Sequence, residues 1–227
     1  MDYLKANKIL IFDFDGVLVE SLKIKAQAFA KVFIGAGKFA CEEAIRLHYK
    51  YGGVSRREKL KILASEILKK EASDVELDLW SAIVADYLEL ELPQAKSVLG
   101  VGQMLKRLQN QCQMHIASAA PEPEVIKWCR LNNFEHFFTS INGAPEPKSQ
   151  IIKRILKDVD VEASKVLFVG DSYSDLNVSI ELDLNFLLRR HETNTSEAQS
   201  CGRKSFENFL DQIWLNSERE FIEVKLD

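Results

Sequence analysis

Residues 9–17 read Ile-Leu-Ile-Phe-Asp-Phe-Asp-Gly-Val, an apolar run that ends in two aspartates separated by one residue. The run has the length and the β-branched and aromatic content of a strand buried on both faces. Residues two apart in a strand share a face, so the carboxylates of Asp13 and Asp15 should project into one pocket. Two carboxylates this close repel each other unless a cation or a proton lies between them, and magnesium prefers such oxygen ligands. The same residues also suit an ordinary loop, with Gly16 supplying the turn.

Further apolar runs of strand length follow along the chain. They lie at residues 114–117, 137–141, 166–169 and 186–188. Amphipathic helical patterns accompany them at residues 101–110, 123–132, 149–157 and 174–182. Strands that alternate with helices are typical of a parallel sheet, because each crossover helix returns the chain to the same end of the sheet. The sequence therefore predicts an α/β fold, a Rossmann-like parallel sheet with helices on both faces.

One segment, residues 19–92, lacks this alternation and carries helical patterns, for example at 24–33, 56–69 and 75–90. Ser73 and Glu76 fit a capping box that begins the last of these helices. Pro93 marks the return to the alternating pattern. We therefore predict a small all-helical cap domain inserted into an α/β core domain. The predicted boundaries are 19–92 for the cap and 1–18 with 93–227 for the core.

A second acidic group follows the run at 166–169, where Gly170 and Asp171 are followed four residues later by Asp175. The carboxyl ends of parallel strands meet at one edge of the sheet, so Asp171 should lie near Asp13 as a further ligand of one cation. Asp175, one helical turn on, could complete the acidic cluster directly or through water. Both residues also suit the first turn of a helix, where acidic side chains complement the helix dipole.

Two further polar residues follow predicted strands. Ser118 follows the run at 114–117, where its hydroxyl and nearby backbone N–H groups, including that of Ala119, suit a phosphate oxygen. An ordinary helix cap is the alternative for Ser118. Lys148 follows the run at 137–141 and opens the next helix, where its ammonium can neutralise a phosphate and hold the acidic pocket together. A solvated surface lysine is the alternative.

The composition of the chain limits the kinds of molecule that the protein is expected to bind. The chain has 30 Lys and Arg residues against 34 Asp and Glu residues, a net charge of −4, so we expect no binding of nucleic acid or anionic lipid. No apolar run approaches the ~20 residues that span a bilayer, and the N-terminus lacks a signal-peptide pattern. The four cysteines are scattered without metal-ligand spacing, which favours reduced thiols. A cytoplasmic protein is expected.

The polar anchors occur in the order Asp-X-Asp, Ser, Lys and Gly-Asp-X-X-X-Asp, each after a successive predicted strand. The sequence thereby resembles the haloacid dehalogenase superfamily, whose four motifs appear as 13–15, Ser118, Lys148 and 170–175. The resemblance covers nearly the whole chain and includes the helical cap of its phosphoglycolate phosphatase and β-phosphoglucomutase-like subfamily. It implies a Mg²⁺-dependent phosphatase that acts on a small phosphorylated metabolite, such as a sugar phosphate or a phosphoglycolate-like acid.

The resemblance also implies a role for each matched residue. Asp13 is the nucleophile that forms an aspartyl phosphate, and Asp15 is the general acid and base. An acid at position 15 disfavours dehalogenase chemistry. The implied metal ligands are Asp13, Asp171 and the backbone carbonyl of Asp15, with Asp175 supporting them. The implied phosphate contacts are Ser118, Ala119, Lys148 and Gly16.

Residues 53–56 resemble the cap loop of β-phosphoglucomutase-like members, which implies substrate contacts from Ser55 and Arg56 and also from Lys25. Lys25 stands where mutases of this type place a histidine, and this departure favours hydrolysis over phosphoryl transfer to a second sugar hydroxyl. A sugar phosphomutase is one alternative, and a catalytically silent metabolite-binding protein with the same fold is another. The expected partner is a small phosphorylated substrate rather than nucleic acid or membrane, and the expected state is a monomer.

Overall fold

The computed structural model describes residues 9–195, 202–211 and 214, and the chain divides into two compact units. One unit comprises Glu20–Lys96, and the other comprises the residues before it and those from Ser97 onward. These boundaries differ by a few residues from the cap predicted at 19–92. Val19 pairs with Ser97 inside the second unit, which keeps it out of the helical one. Leu92–Gln94 form a 3₁₀ helix after the last long helix, which extends the helical unit beyond the predicted end.

The unit at Glu20–Lys96 is built from helices, as the sequence predicts. These helices are α1 (Leu22–Lys31), α2 (Lys38–Lys50), α3 (Arg56–Leu63) and α4 (Asp74–Glu91). A π-helical turn at Ala64–Leu68 extends α3. The predicted capping box begins α4, where the Glu76 N–H donates to Ser73 Oγ at 3.3 Å and the Ser73 N–H donates to the Glu76 carboxylate at 3.0 Å. Two of the N–H groups that a helix start leaves without helical partners are thereby bonded.

The described residues of the other unit contain one parallel sheet. Its strands are β1 (Ile9–Phe12), β2 (Gln113–Pro121), β3 (Ser140–Ala144), β4 (Val166–Gly170), β5 (Asn185–Arg189) and β6 (Ser205–Phe206). Their order is β3-β2-β1-β4-β5-β6, and every pairing is parallel. The chain starts at β1 and later adds strands on both of its sides, so the strand order reverses beside β1. Open α/β sheets bind ligands at the carboxyl ends of the strands near such a reversal.

Helices connect the strands of this sheet. They are α5 (Val101–Leu108), α6 (Glu122–Leu131), α7 (Lys148–Val159) and α8 (Tyr173–Glu181). The predicted fold class, a Rossmann-like parallel sheet flanked by helices together with an all-helical insert, is confirmed. Across the described residues, no helix combines the length and the apolar character that crossing a membrane requires.

Both faces of the sheet are buried, which holds β1 firmly in place. Ile11 of β1 belongs to one apolar cluster with Ile151 of α7. The neighbouring residue Phe12 points to the opposite face, as strand alternation requires, and its ring centroid lies 6.3 Å from those of Phe209 and Trp214. Phe12 is fully buried, and truncating such a side chain to alanine typically costs about 3–5 kcal/mol. The site residue that follows β1 is therefore held by the core.

The strand predicted at 137–141 is wrong in its first half. Glu135–Phe137 form a 3₁₀ helix, and β3 begins at Ser140. The apolar run misleads because Phe137 is buried in a turn, with its ring 6.4 Å from that of Phe134, rather than in the sheet. The sequence pattern does not predict β6, since a strand of two residues has no periodicity.

Candidate active site

Asp13 lies directly after β1, beside the reversal of strand order. Its N–H donates to the Val169 carbonyl of β4 at 2.8 Å, so the sheet pairing continues through the residue. Its Oδ1 accepts a hydrogen bond from the Phe14 N–H at 2.7 Å, and its Oδ2 lies 3.0 Å from Lys148 Nζ. Both side chains of this ion pair are only 5% exposed. The structure therefore brings two of the predicted site residues, the acid after β1 and the lysine that begins α7, into direct contact.

Asp171 and Asp175 complete a buried acidic cluster with Asp13. Asp171 follows β4, the strand that pairs with β1, and Asp175 lies in the first turn of α8. One carboxylate oxygen from each of the three residues lies within 4.8 Å of the others. A compact set of carboxylate oxygens is the donor chemistry that Mg²⁺ prefers. The sequence predicts Asp13, Asp15 and Asp171 as the metal residues, with Asp175 supporting them, whereas the cluster consists of Asp13, Asp171 and Asp175. The ligand roles themselves stay predictions.

Both carboxylate oxygens of Asp175 are bonded to other groups of the protein. Oδ1 forms an ion pair with Lys148 Nζ. Oδ2 accepts hydrogen bonds from the Asp171 N–H at 3.2 Å, the Ser172 N–H at 3.1 Å and the Ser172 hydroxyl at 2.7 Å. Ser172 and Asp175 also form the capping box of α8. Asp175 therefore holds Lys148 and the backbone at Asp171 in position, and it acts as the helix-start acid that the sequence pattern left as an alternative.

The electrostatics of the cluster favour a bound cation. Burial raises the pKa of Asp13 well above its usual range; the Lys148 ammonium opposes this rise, and the neighbouring carboxylates reinforce it. Burial, followed by the charge of Asp175, likewise raises the pKa of Asp171. Burial alone would lower the pKa of Lys148, but the charges of Asp13 and Asp175 outweigh burial and raise it, so the ammonium stays charged. Raised carboxyl pKa values mean that the buried negative charge is incompletely balanced. The cluster therefore fits Mg²⁺.

Asp15 and Gly16 form the turn that follows β1. The Asp15 side chain is partly exposed, and its charge contributes to the raised pKa values of Asp13 and Asp171. Gly16 has a φ of +71°, a conformation that favours glycine. Its N–H donates to the Val19 carbonyl at 2.9 Å. This N–H therefore serves the turn, and the phosphate contact predicted for Gly16 stays a prediction.

Ser118 and Ala119 lie near the carboxyl end of β2, which runs four residues past the predicted strand end at 117. Ser118 is buried, and its Oγ accepts a hydrogen bond from the Ala120 N–H at 3.0 Å. A hydroxyl that accepts one hydrogen bond still has its own proton to donate. Ala119 is partly exposed. Ser118 can therefore donate to a phosphate oxygen while its orientation is fixed by the backbone.

Residues that the sequence analysis does not single out also contact the site. Arg189 is buried, and its Nη1 donates to the Gly16 carbonyl at 3.1 Å. Asn194 donates from Nδ2 to the Asp171 carbonyl at 2.8 Å, and His191 Nε2 lies 2.9 Å from Asp171 Oδ2. All three follow or end β5, whose carboxyl end lies beside that of β4 in the parallel sheet. The sequence signal that could have identified these residues is the group of polar side chains at the end of this strand and directly after it.

The predicted cap residues all belong to the helical unit. Lys25 is a buried residue of α1, Ser55 immediately precedes α3, and Arg56 is the partly buried first residue of α3. The substrate contacts predicted for these residues stay predictions.

Comparison with known proteins gives relatives of similar length. The chain is 25% identical over 178 residues to a Thermotoga maritima protein named phosphorylated carbohydrates phosphatase. The aligned segment covers 75% of this chain and 79% of the relative. A crystal structure of a predicted phosphoglycolate phosphatase from Haemophilus somnus 129pt matches with a TM-score of 0.74 and 19% identity, over 93% of this chain and 98% of that one. The structure of CbbY from Rhodobacter sphaeroides in complex with phosphate matches with a TM-score of 0.72 and 14% identity, over 90% and 95%. At these identities the solved structures show a shared fold.

Residues 10–188 match the family model described as haloacid dehalogenase-like hydrolase. The matched segment runs from β1 into β5 and contains the acidic cluster, Lys148, Ser118 and the helical unit. A match of this extent covers well over half of the 227 residues. The chain therefore belongs to the haloacid dehalogenase-like hydrolase family.

Proposed function

We propose that the chain is a Mg²⁺-dependent phosphatase that transfers a phosphoryl group from a small phosphorylated metabolite to Asp13 and then hydrolyses the aspartyl phosphate. The observation that carries this proposal is the buried contact of Asp13 with Lys148 inside the cluster with Asp171. A carboxylate held beside an ammonium and two further acids has the groups that phosphoryl transfer needs: a nucleophile, a cation site and a positive charge.

The proposed reaction begins when an Asp13 carboxylate oxygen attacks phosphorus. The bond from phosphorus to the substrate oxygen breaks, and Asp15 gives that oxygen a proton. Water then attacks the phosphorus of the aspartyl phosphate and loses a proton to Asp15, which releases inorganic phosphate and free Asp13. The partial exposure of the Asp15 side chain suits proton exchange with substrate and water, whereas Asp13 is buried.

Positive and hydrogen-bonding groups would hold the phosphoryl group during both steps. The Lys148 ammonium lies 3.0 Å from Asp13 and is kept there by its second ion pair, with Asp175. The Ser118 hydroxyl has a proton to donate. When bound by Asp13, Asp171 and the Asp15 carbonyl, Mg²⁺ would balance the negative charge of the phosphoryl oxygens.

The proposed substrate is a sugar phosphate or a phosphoglycolate-like acid. The family and the name of the Thermotoga maritima relative support a phosphoric monoester hydrolase that acts on phosphorylated carbohydrates. We assign substrate discrimination to Lys25, Ser55 and Arg56 of the helical unit. Residues 53–56 resemble the cap loop of β-phosphoglucomutase-like members, and Lys25 stands where mutases of that type place a histidine.

The test is phosphate release from a panel of phosphorylated metabolites with Mg²⁺ and with EDTA. Release should require Mg²⁺, and Asp13→Asn should lower kcat/KM by roughly 10³-fold or more, because an amide cannot replace the nucleophile. Asp183→Asn is the matched control, since Asp183 is exposed and has a φ of +53° that asparagine adopts equally well. Release that survives Asp13→Asn would contradict the proposal. Phosphate that reappears on a second sugar hydroxyl would indicate a phosphomutase instead.

We also infer a cytoplasmic monomer. Cys41, Cys112 and Cys129 are free thiols, as expected in a reducing compartment. Burial raises the pKa of Cys112 to about 11, and burial followed by the charge of Glu135 raises that of Cys129 to about 12, so both thiols stay protonated and unreactive. Size-exclusion chromatography with light scattering checks the monomer, and a stable dimer would contradict it.

A further inference from the structure

The segment that follows β5, residues 190–194, contacts Asp171 at two separate points. The His191 side chain bonds the carboxylate, with Nε2 at 2.9 Å from Oδ2. The Asn194 side chain bonds the backbone, with Nδ2 donating to the Asp171 carbonyl at 2.8 Å and to the Arg189 carbonyl at 2.8 Å. Asn194 Oδ1 also accepts the His191 N–H at 2.9 Å, so the two contacts are linked.

The surroundings of His191 fix which ring nitrogen carries the proton. The Thr193 N–H lies 3.3 Å from His191 Nδ1 and can only donate, so Nδ1 must accept. The Thr193 hydroxyl lies 2.9 Å from the same nitrogen. A neutral imidazole that accepts at Nδ1 carries its proton at Nε2. His191 therefore donates a hydrogen bond to Asp171 Oδ2.

We propose that His191 is a positioning residue that fixes the Asp171 carboxylate in the orientation required for binding a divalent cation. This inference rests on the Mg²⁺ site of the proposed function. Without a donor at Oδ2, the Asp171 carboxylate can rotate about its side-chain bonds, because the Asn194 and Asp175 contacts hold only the Asp171 backbone. The hydrogen bond to Oδ2 leaves the other carboxylate oxygen available to the cation.

Burial makes this hydrogen bond effective. The His191 side chain is 10% exposed and that of Asp171 is 8% exposed, so little water competes for Oδ2. Partners that orient a metal-binding side chain in this way typically contribute about 10- to 100-fold to metal affinity. The hydrogen bond thereby links His191 to Asp171, the proposed metal ligand that lies 20 residues earlier in the sequence.

The experiment compares Mn²⁺ affinity of the full chain and its variants, measured from the electron paramagnetic resonance signal of free Mn²⁺. His191→Ala should weaken Mn²⁺ binding by about 10- to 100-fold. His191→Gln should retain affinity within about threefold, because its amide can donate from a position near that of Nε2. His136→Ala is the control, since this histidine lies in the 3₁₀ helix at Glu135–Phe137, outside the site.

Two further readouts separate positioning from a general structural role. The metal-free melting temperature of His191→Ala should fall by no more than about 4 °C, because only the contact with Asp171 is shielded from water and the two with Thr193 are exposed. Its kcat should recover at saturating Mg²⁺, while the Mg²⁺ concentration for half-maximal rate rises by the same factor as the Mn²⁺ dissociation constant.

Each outcome decides the inference. Unchanged Mn²⁺ affinity in His191→Ala, with an active unmutated enzyme, would overturn the role of His191 and leave the proposed function intact. An unmutated protein that neither binds Mn²⁺ nor hydrolyses any phosphate ester would overturn both. A large loss of metal-free stability that His191→Gln does not reverse would assign His191 a structural role and also overturn the inference.

Discussion

Replacement of Asp175 by asparagine tests how the buried site is held together. The side chain is 0% exposed, and its two oxygens serve different partners: Oδ1 pairs with Lys148, and Oδ2 accepts three hydrogen bonds from Asp171 and Ser172. Asparagine has the same shape but one acceptor oxygen and one NH₂ donor. If its oxygen stays with Ser172, the NH₂ group faces the Lys148 ammonium; if the amide flips, the N–H groups at 171 and 172 lose their acceptor.

The expected cost follows from these two arrangements. Removing one partner of a buried ion pair typically lowers the free energy of unfolding by about 3–5 kcal/mol. Lys148 keeps its second partner, Asp13, at 3.0 Å, and loss of the Asp175 charge relieves repulsion on Asp13 and Asp171. Both effects reduce the cost, so we expect the free energy of unfolding to fall by about 3 kcal/mol, the lower end of that range. For a protein of this size that is a fall in melting temperature of about 6–12 °C.

Urea unfolding of the metal-free protein, followed by far-ultraviolet circular dichroism, measures this loss. Asp183→Asn should leave the midpoint unchanged, because that side chain is exposed. A loss below about 0.5 kcal/mol for Asp175→Asn would refute the reasoning, since only a solvated pair is worth so little.

The remaining predictions concern a close contact and a helix cap. Gly170→Ala should lower both stability, by about 1–3 kcal/mol, and activity, since the new Cβ would lie 2.4 Å from Asp175 Cβ; thermal melts and phosphate release measure these effects. Ser73→Ala should cost the helical unit about 1 kcal/mol, measured by thermal unfolding. The side-chain hydrogen bond from Lys70, followed by those of Ser73, lowers the pKa of Glu76 from 4.5 to about 2. A lowered carboxyl pKa stabilises the fold above pH 4.5 and loses that effect as the pH falls towards 2, so the melting-temperature difference between the unmutated protein and Glu76→Gln should shrink over that window.

The sequence predicts the sheet and the acidic cluster because both depend on local patterns. Apolar runs define β1 and β4, and the acids that follow them meet because the strands pair in parallel. The predicted capping box of Ser73 and Glu76 is equally local, since both partners lie within one helical turn. The capping box of Ser172 and Asp175 has the same spacing, although the sequence analysis identifies only Asp175, as a first-turn acid. The failure at 137–141 has the opposite cause: a buried turn and a buried strand carry the same apolar residues.

The contacts of Arg189 and His191 could not be predicted in the same way, and for Lys148 the sequence left a solvated surface lysine as an alternative to a place in the acidic pocket. Lys148 reaches Asp175 across 27 residues and Arg189 reaches the Gly16 carbonyl across 173, so no spacing rule links these pairs. Topology supplies a weaker rule, since every strand beside β1 or β4 delivers its following residues to the same edge. That rule singles out the segment after β5 as a place for site residues, although the choice of His191 over its neighbours depends on side-chain geometry.

Asp175 shows why one role per residue is too simple for this site. The sequence offered two interpretations, a helix-start acid and a member of the cation cluster, and the structure gives evidence for both. The capping box fixes the backbone at Asp171, while the other oxygen fixes Lys148 against Asp13. A single carboxylate can do both because its oxygens contact different elements: Oδ1 pairs with Lys148 at the start of α7, and Oδ2 accepts from the residues that follow β4. Stability of the site and orientation of the groups proposed for catalysis are therefore coupled, and substitutions at Asp175 should change both together.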